Sequence, residues 1–454
     1  MKYRARWQFA GGGPGPVTLK DALLVVATIA VPVGTVGLLP HVPPLRPAPP
    51  VAPAGSSYPP SPVAFERQPL TVPGEERQLP LITHVQVVDL DGDGRAEVVA
   101  CDALGHRLLR FDRGTDGGWA AATVAEDLHV PAHATVVDID GDGDLDIVVA
   151  ILGDILPSDA DVGRVELLER TPSGYERRVL LDDVRRVADV QAGDLDGDGH
   201  LDLAVAVFGY SRGEVLWLRA RGDGTFAPRQ LLSGAGAIHV PVRDFDGDGD
   251  LDIATIMSQD DEELWGLENL GDGRFERRLL WRTPNFDLGS AGLVAADVDD
   301  DGDEDLVLPV GDNLEDFDAF PQPHHGCLWF ENEGGWTFRM RRIADLGGTY
   351  AAALGDIDGD GRLDVALASM DNDWRNPASA ALVWLENGGR AAADGAVGFR
   401  PWQVDTDPIH LITVAVGDID GDGRADLVTG GLNLRRPYRR IAGVTAWLNR
   451  GGGP

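Results

Sequence analysis

Apolar and polar positions along this chain fall into short runs that recur as a set of four. A run such as Thr135-Val136-Val137 precedes an acidic nonapeptide, and one such as Ile147-Val148-Val149-Ala150 follows it. Both have the composition of short strands. A third run is aromatic and reads Trp329-Phe330-Glu331-Asn332, Trp384-Leu385-Glu386-Asn387 and Trp447-Leu448-Asn449, with looser forms at Trp217-Leu218-Arg219 and Leu267-Glu268-Asn269. A glycine turn then leads to a fourth run, as in Phe275-Glu276-Arg277 and Tyr175-Glu176-Arg177. Successive sets start 49, 56, 50, 53, 59 and 62 residues apart. A repeat of that length signals an array or propeller, and four short strands per repeat make one propeller blade. Seven sets predict an all-β, seven-bladed β-propeller.

The nonapeptides occupy residues 89–97, 138–146, 194–202, 244–252, 297–305, 356–364 and 418–426. Six read D-x-D-G-D-G-x-x-[DE]; the fifth replaces its first glycine with Asp300. A hard divalent cation requires several oxygen ligands on a backbone that turns sharply enough to surround it. Positions one, three, five and nine supply them. The predicted ligands are Asp89, Asp91, Asp93 and Glu97 in loop 1, Asp138, Asp140, Asp142 and Asp146 in loop 2, and Asp194, Asp196, Asp198 and Asp202 in loop 3. Loop 4 offers Asp244, Asp246, Asp248 and Asp252, and loop 5 Asp297, Asp299, Asp301 and Asp305. Loops 6 and 7 offer Asp356, Asp358, Asp360 and Asp364, then Asp418, Asp420, Asp422 and Asp426. The carbonyl of position seven, such as that of Asp144, would point inward. This spacing favours calcium over magnesium, about seven ions per chain, in a structural role. The competing reading is a set of plain turns, which isolated D-G-D-G strings also form.

The last repeat ends just after its third run, at residues 451–454, so its fourth strand is missing. Phe65-Glu66-Arg67-Gln68-Pro69-Leu70, ahead of the first loop, matches the fourth-strand pattern Phe275-Glu276-Arg277-Arg278-Leu279-Leu280. Residues 63–72 are therefore expected to complete the seventh blade, making 63–454 one ring with no open sheet edge. The recurring tryptophans are expected to pack between blades.

These residues resemble the FG-GAP and VCBS repeat proteins, whose blades build the head of integrin alpha subunits and many bacterial surface proteins. The acidic loop carries the resemblance. In the family it holds calcium between the first and second strands of a blade. Integrin-type phenylalanine-glycine and glycine-alanine-proline signatures are poorly represented here, which places the chain nearer the bacterial branch. The resemblance implies a scaffold and an outward location, and it implies no particular ligand.

Composition changes the picture in three ways. The formal charge is −35, and the seven loops hold 33 of the 74 acidic residues, so the imbalance sits in the proposed cation sites. Such a surface argues against nucleic acid and anionic lipid as partners. Cys101 and Cys327, the two cysteines, fall in blades one and five, too far apart for a disulfide. The first 62 residues are a different material. Residues 1–21 carry Lys2, Arg4, Arg6 and Lys20; residues 22–39 are uncharged and, as a helix, would span about 27 Å. Basic residues before that stretch predict a single transmembrane signal anchor with the N-terminus inside and the propeller outside the cytoplasm, in periplasm or at the cell surface. The alternative is a cleaved signal peptide and a secreted protein. Residues 40–62, rich in proline, read as a stiff linker.

If the cation loops are structural, function belongs to the opposite face, where the connections from second to third strands vary in length. Tyr210, Phe317, Phe320 and Trp374 in those connections are expected to be exposed and to contact a protein or glycan ligand. A sharper constellation lies five residues before the opening aspartates: His84, His133, Asp189 and His239, in one register of the innermost strands of blades one to four. Strand alternation turns them away from the packed face, toward the central channel. Three imidazoles and a carboxylate suit a transition metal or acid–base chemistry. The plainer reading is polar channel lining, since blades five to seven have Gly292, Ala351 and Thr413 there. The sequence thus supports a membrane-tethered, calcium-stabilised binding scaffold, with a carbohydrate lyase or dehydratase using the histidines as the alternative. No nucleophile elbow, phosphate-binding glycine loop or zinc-protease motif is present.

Overall fold

The computed structural model describes residues 57–75, 81–156, 158–259, 261–271, 273–285, 287–312, 314, 320–390, 397–434 and 436–452. The expected cytoplasmic segment 1–21, the membrane anchor 22–39, most of the linker and Phe317 lie outside them. Among the described residues there is no helix long and apolar enough to cross a membrane.

Seven four-stranded antiparallel sheets form the blades. In blade 1 the order from the axis outward is Ile82–Val88, Glu97–Asp102, Arg107–Arg113 and Trp119–Ala125. Each acidic nonapeptide joins an inner strand to the second strand, and its closing carboxylate is the second strand's first residue: Glu97, Asp146, Asp202, Asp252, Asp305, Asp364 and Asp426. The second strands are buried along nearly their whole length, which is why they read as continuous apolar runs. The seventh sheet takes its outer strand from the other end of the chain. Val63–Leu70 pairs antiparallel with Val444–Gly452, Arg67 opposite Trp447.

The core is a ring of apolar clusters, seven of them shared by two neighbouring blades and an eighth, with Leu81, Val130, Met370 and Ile412, drawn from several blades. Trp329 packs with Val365, Leu367 and Leu385 across blades 5 and 6; Trp384 and Trp447 meet Leu411 and Leu427 across blades 6 and 7. Leu70, Val85 and Leu448 join blades 7 and 1. Trp329, Trp384 and Trp447 are almost wholly inaccessible. Burying a side chain of that size contributes about 2–3 kcal/mol, so the tryptophans hold blades together rather than forming a ligand box. Cys101 and Cys327 are buried free thiols.

Two departures from the sequence reading have local causes. The inner strand of blade 4 is reduced to Val242–Arg243, because Pro241 has no N–H for the ladder; His239 therefore sits in an irregular stretch between that strand and the Ala237–Met257 bridge. The end of the linker, 57–62, lies along blade 6. Pro60 bridges Gln403, the Tyr58 hydroxyl donates to the Asp345 carbonyl, and Trp384 Nε1 donates to Ser61 Oγ at 2.9 Å.

Candidate cation loops and channel histidine cluster

The seven loops share one hydrogen-bond scheme. The opening aspartate accepts the N–H of position six through Oδ2, at 2.8 Å from Gly94 and 3.0 Å from Gly143. Position five accepts the N–H of position seven, as in Arg95 N to Asp93 Oδ1 at 2.9 Å. The fourth residue is left-handed throughout, for example Gly141 at φ 77° and Gly359 at φ 83°. Asp300 takes φ 59° in the fifth loop, a conformation aspartate tolerates better than most residues, so the departure from the motif leaves the turn intact.

These turns aim the carboxylates at one another. Asp89, Asp91 and Glu97 each bring an oxygen within 4.8 Å of the others, and so do Asp138, Asp140 and Asp146; Asp194, Asp196 and Asp202; Asp244, Asp246 and Asp248; and Asp297, Asp299 and Asp305. Several acidic clusters on this face can therefore hold a metal ion, and the donor set is the all-oxygen kind that suits a hard cation. A further observation fits a cation. Oδ1 of Asp196, Asp299 and Asp420 is buried without a hydrogen-bond partner, on side chains no more than 8 % exposed. Buried carboxylate oxygens left unpaired are costly unless something positive faces them.

The closing carboxylates do more than ligation requires. One oxygen accepts the N–H of position two, as from Phe245 to Asp252 at 3.0 Å; in blades 2 to 7 the other accepts a third-strand N–H, as from Asn269 to Asp252 at 2.7 Å. Burial nevertheless pushes these carboxyls up, to about 6 for Asp202 and Asp426 and about 7 for Asp252, Asp305 and Asp364, with Glu97 and Asp146 raised too.

The asparagines of the aromatic run have a role the sequence did not disclose. Asn332 Nδ2 donates to the Phe245 carbonyl in the loop of blade 4, at 2.8 Å, and to the Glu304 carbonyl of its own loop, at 3.0 Å. Asn269, Asn387 and Asn449 repeat this, reaching Leu195, Val298 and Ile357. Each ties its blade to the previous acidic loop. Their recurrence at the end of the aromatic run, at Asn269, Asn332, Asn387 and Asn449, was the signal in the sequence.

The channel cluster is real in geometry. His133 Nδ1 lies 3.1 Å from Asp189 Oδ1 and His239 Nδ1 lies 3.5 Å from Asp189 Oδ2, while the His84 and His133 rings meet tilted at 38° with centroids 3.9 Å apart. Asp189 is buried and also accepts from Gln191 Nε2 and the Val240 N–H, both at 3.0 Å. Burial alone would raise its carboxyl; the two imidazoles and the N–H outweigh that and hold it below the usual carboxylate range. Burial pushes His84 and His133 down. An Nδ1–H turned toward Asp189 would leave each imidazole's Nε2 to carry a proton or meet a metal. The same register also carries structural work: the His84 ring accepts the Ala134 N–H at 3.4 Å, Asp189 that of Val240, and Thr413 Oγ1 that of Val85 at 3.2 Å. Each bond joins one inner strand to the next.

On the opposite face, Tyr210, Tyr438, Leu156 and Leu434 are exposed. Trp374, expected to be exposed, is half-buried instead. Its Nε1 donates to the Met370 carbonyl and its ring meets His410 edge-on, because residues 371–379 fold back on blade 6 through Asn372 and Ser379. Phe320 is also half-buried.

A closed ring of seven blades with an acidic loop after every inner strand defines a propeller built from acidic-loop repeats. The FG-GAP-like repeat matches residues 82–149, 194–255, 244–308 and 356–429, more than half of the chain, and the chain belongs to that family. No curated protein matches it in sequence. Among solved structures it is similar in fold to BBS1N in complex with ARL6DN, at 11% identity and a TM-score of 0.50 over 86% of this chain and 98% of that one. It is likewise similar to virginiamycin B lyase from Staphylococcus aureus, at 10% identity and 0.51 over 84% and 99%.

Proposed function

We propose that this propeller is a calcium-stabilised binding scaffold tethered outside the cytoplasm, which takes a protein or glycan partner on the face opposite its acidic loops. The observation that carries the reading is the division of labour between faces. One face repeats an acidic loop seven times, gathers its carboxylates into all-oxygen clusters and leaves carboxylate oxygens orphaned at Asp196, Asp299 and Asp420. The other has irregular connections of unequal length with Tyr210, Tyr438, Leu156 and Leu434 uncovered. A rigid ring with variable loops at one end is a common arrangement for recognition. BBS1N, a propeller of this fold, forms a complex with a protein partner, which makes protein the first ligand class to try. The tether is residues 22–39, with secretion the outcome if that segment is removed.

The test uses immobilised protein in millimolar calcium against a glycan array and extracellular proteins. Tyr210→Ala with Tyr438→Ala should weaken binding at least about tenfold, the usual weight of aromatic anchors. Unchanged affinity with calcium retained would reject this face.

The Asp189 geometry favours a second reading, a carbohydrate lyase or dehydratase in which His133 or His239 Nε2 removes a proton, with or without a transition metal. Product formed by the wild-type protein and lost in His133→Ala would establish it; no turnover of acidic or neutral polysaccharides would count against it.

A further inference from the structure

The seven loops are alike in backbone, and they differ in whether an arginine already sits on the cage. Arg110 reaches Asp91 at 2.7 Å in loop 1, and Arg219 pairs with Asp196 in loop 3. Arg390, from the neighbouring blade, spans Asp299 at 2.5 Å and Asp301 at 2.6 Å in loop 5. Arg362 pairs with Asp360 in loop 6; Arg450 reaches Asp420 at 2.6 Å and Arg424 pairs with Asp422 in loop 7. Loops 2 and 4 are the exceptions. Among the described residues no cationic side chain pairs with Asp138, Asp140, Asp142 or Asp146, nor with Asp244, Asp246, Asp248 or Asp252. Their position-three carboxylates meet only neutral N–H groups, Asp140 Oδ1 accepting that of Asp142 at 3.2 Å, and Asp246 those of Asp248 at 3.3 Å and of the Trp336 indole at 3.1 Å; Asp358 in loop 6 accepts the Asp360 N–H in the same way. Both also carry a fifth carboxylate at position seven, Asp144 and Asp250, where loops 1, 6 and 7 have Arg95, Arg362 and Arg424.

Resting on the reading that the loops hold calcium, we infer that they form two classes: two high-affinity sites, in loops 2 and 4, and five weaker, arginine-compensated ones. The orphaned Oδ1 atoms show how compensation works. At Asp196, Asp299 and Asp420 the guanidinium takes Oδ2 and leaves the buried Oδ1 for an ion, so the cage is held open without a cation and the ion meets a smaller net negative charge. Cation affinity in oxygen cages follows ligand charge. Even in the dielectric of water, one positive charge about 6 Å from a divalent ion opposes it by roughly tenfold in affinity. The fifth loop also has an acid at position seven, Asp303, as loops 2 and 4 have Asp144 and Asp250, with Asp300 and Glu304 beside it; Glu304 faces Arg243 at 3.7 Å. Its class is set by Arg390, which bridges two cage carboxylates. The weak class thereby responds to changes in external calcium while loops 2 and 4 stay filled.

Calorimetric calcium titration of the purified full chain, stripped with chelator, tests this. The expected isotherm has two sites saturating at least about tenfold below the rest. Asp144→Arg with Asp250→Arg, which copies the natural pattern of loops 6 and 7, should abolish the tight phase while leaving the melting temperature in saturating calcium unchanged. Arg390→Gln should add a third tight site, an independent check if the double variant folds poorly. A single class of sites, a tight phase that survives the double substitution, or an Arg390→Gln isotherm identical to wild type would overturn the inference. No calcium uptake at all by the wild-type chain would instead overturn the reading on which it rests.

Discussion

The acidic-loop face and the channel wall are built from the same repeats, yet they use repetition in opposite ways. The loop chemistry occurs in all seven blades and differs in its arginines; the channel register has imidazole or carboxylate in four blades and Gly292, Ala351 and Thr413 in the other three. A feature present in every repeat serves the architecture, because each blade can bury its apolar face only against a neighbour placed the same way. A feature confined to one arc is where a ring departs from its own symmetry, and such departures carry either a local staple or a site. His84, His133, Asp189 and His239 make both kinds of contact, inner-strand staples and imidazole–carboxylate pairs.

The largest expected effect sharpens the architectural side. Deleting residues 65–70 removes the outer strand of the seventh sheet and leaves Val444–Gly452 as an open edge. Gel filtration should then show aggregated or expanded protein; a monodisperse monomer with wild-type stability would contradict ring closure.

Next come the asparagine staples. Asn387→Ala strands the Val298 and Leu363 carbonyls, at about 1–3 kcal/mol per buried group left unpaired, and chemical denaturation should register a loss of about 2–4 kcal/mol. Asp189→Asn keeps the shape but loses the charge between His133 and His239, and should cost about 1–3 kcal/mol at neutral pH. An Asn387→Ala protein as stable as wild type would remove the staple from the account. An Asp189→Asn protein as stable as wild type would leave the cluster free for function alone.

The smallest effect separates the two regions by sign. Without cation, the Asp252, Asp305 and Asp364 carboxyls titrate near 7 when folded and at 3.8 when unfolded, so their contribution is full below about pH 4 and is lost as pH rises to about 7. His84 and His133 titrate below 6.5 when folded, so the channel's contribution is full above that value and is lost as pH falls through it. Melting in chelator should therefore fall as pH rises from about 4 to 7, because the three carboxyls outnumber the two imidazoles over that range. Saturating calcium should reverse that slope, since bound cation keeps the closing carboxylates ionised and leaves the imidazoles alone to titrate. Equal slopes with and without calcium would separate the loops from the ion.

Much of this was legible because a propeller writes its fold in register. The nonapeptide marks every first turn, alternation identifies the strands on either side, and Phe65-Glu66-Arg67 is recognisable as an outer strand by comparison with Phe275-Glu276-Arg277. The acidic clusters were likewise readable from the motif, while the structure draws together positions one, three and nine in loops 1, 2, 3 and 5 and positions one, three and five in loop 4. What escaped depends on contacts across blades. Arg390 reaches a loop about 90 residues away, Asn332 a carbonyl at a similar separation, and the last residues of the linker lie on blade 6 through Tyr58 and Ser61. Trp374 looked exposed because its loop is polar, and only the fold-back of residues 371–379 covers it. The channel register was visible as a column of residues, but whether neighbouring inner strands bring those side chains within 3–4 Å depends on blade spacing, which no local pattern encodes.

The central claim is that the acidic loops are cation cages on which the ring depends. The most direct measurement is the melting temperature of the full chain at pH 8, in excess chelator and then in millimolar calcium. A site filled at a hundred times its dissociation constant contributes about 2.7 kcal/mol, so even two such sites should raise the melting temperature by many degrees, with magnesium far less effective. A melt unchanged by calcium would reduce the seven loops to hydrogen-bonded turns and contradict the account.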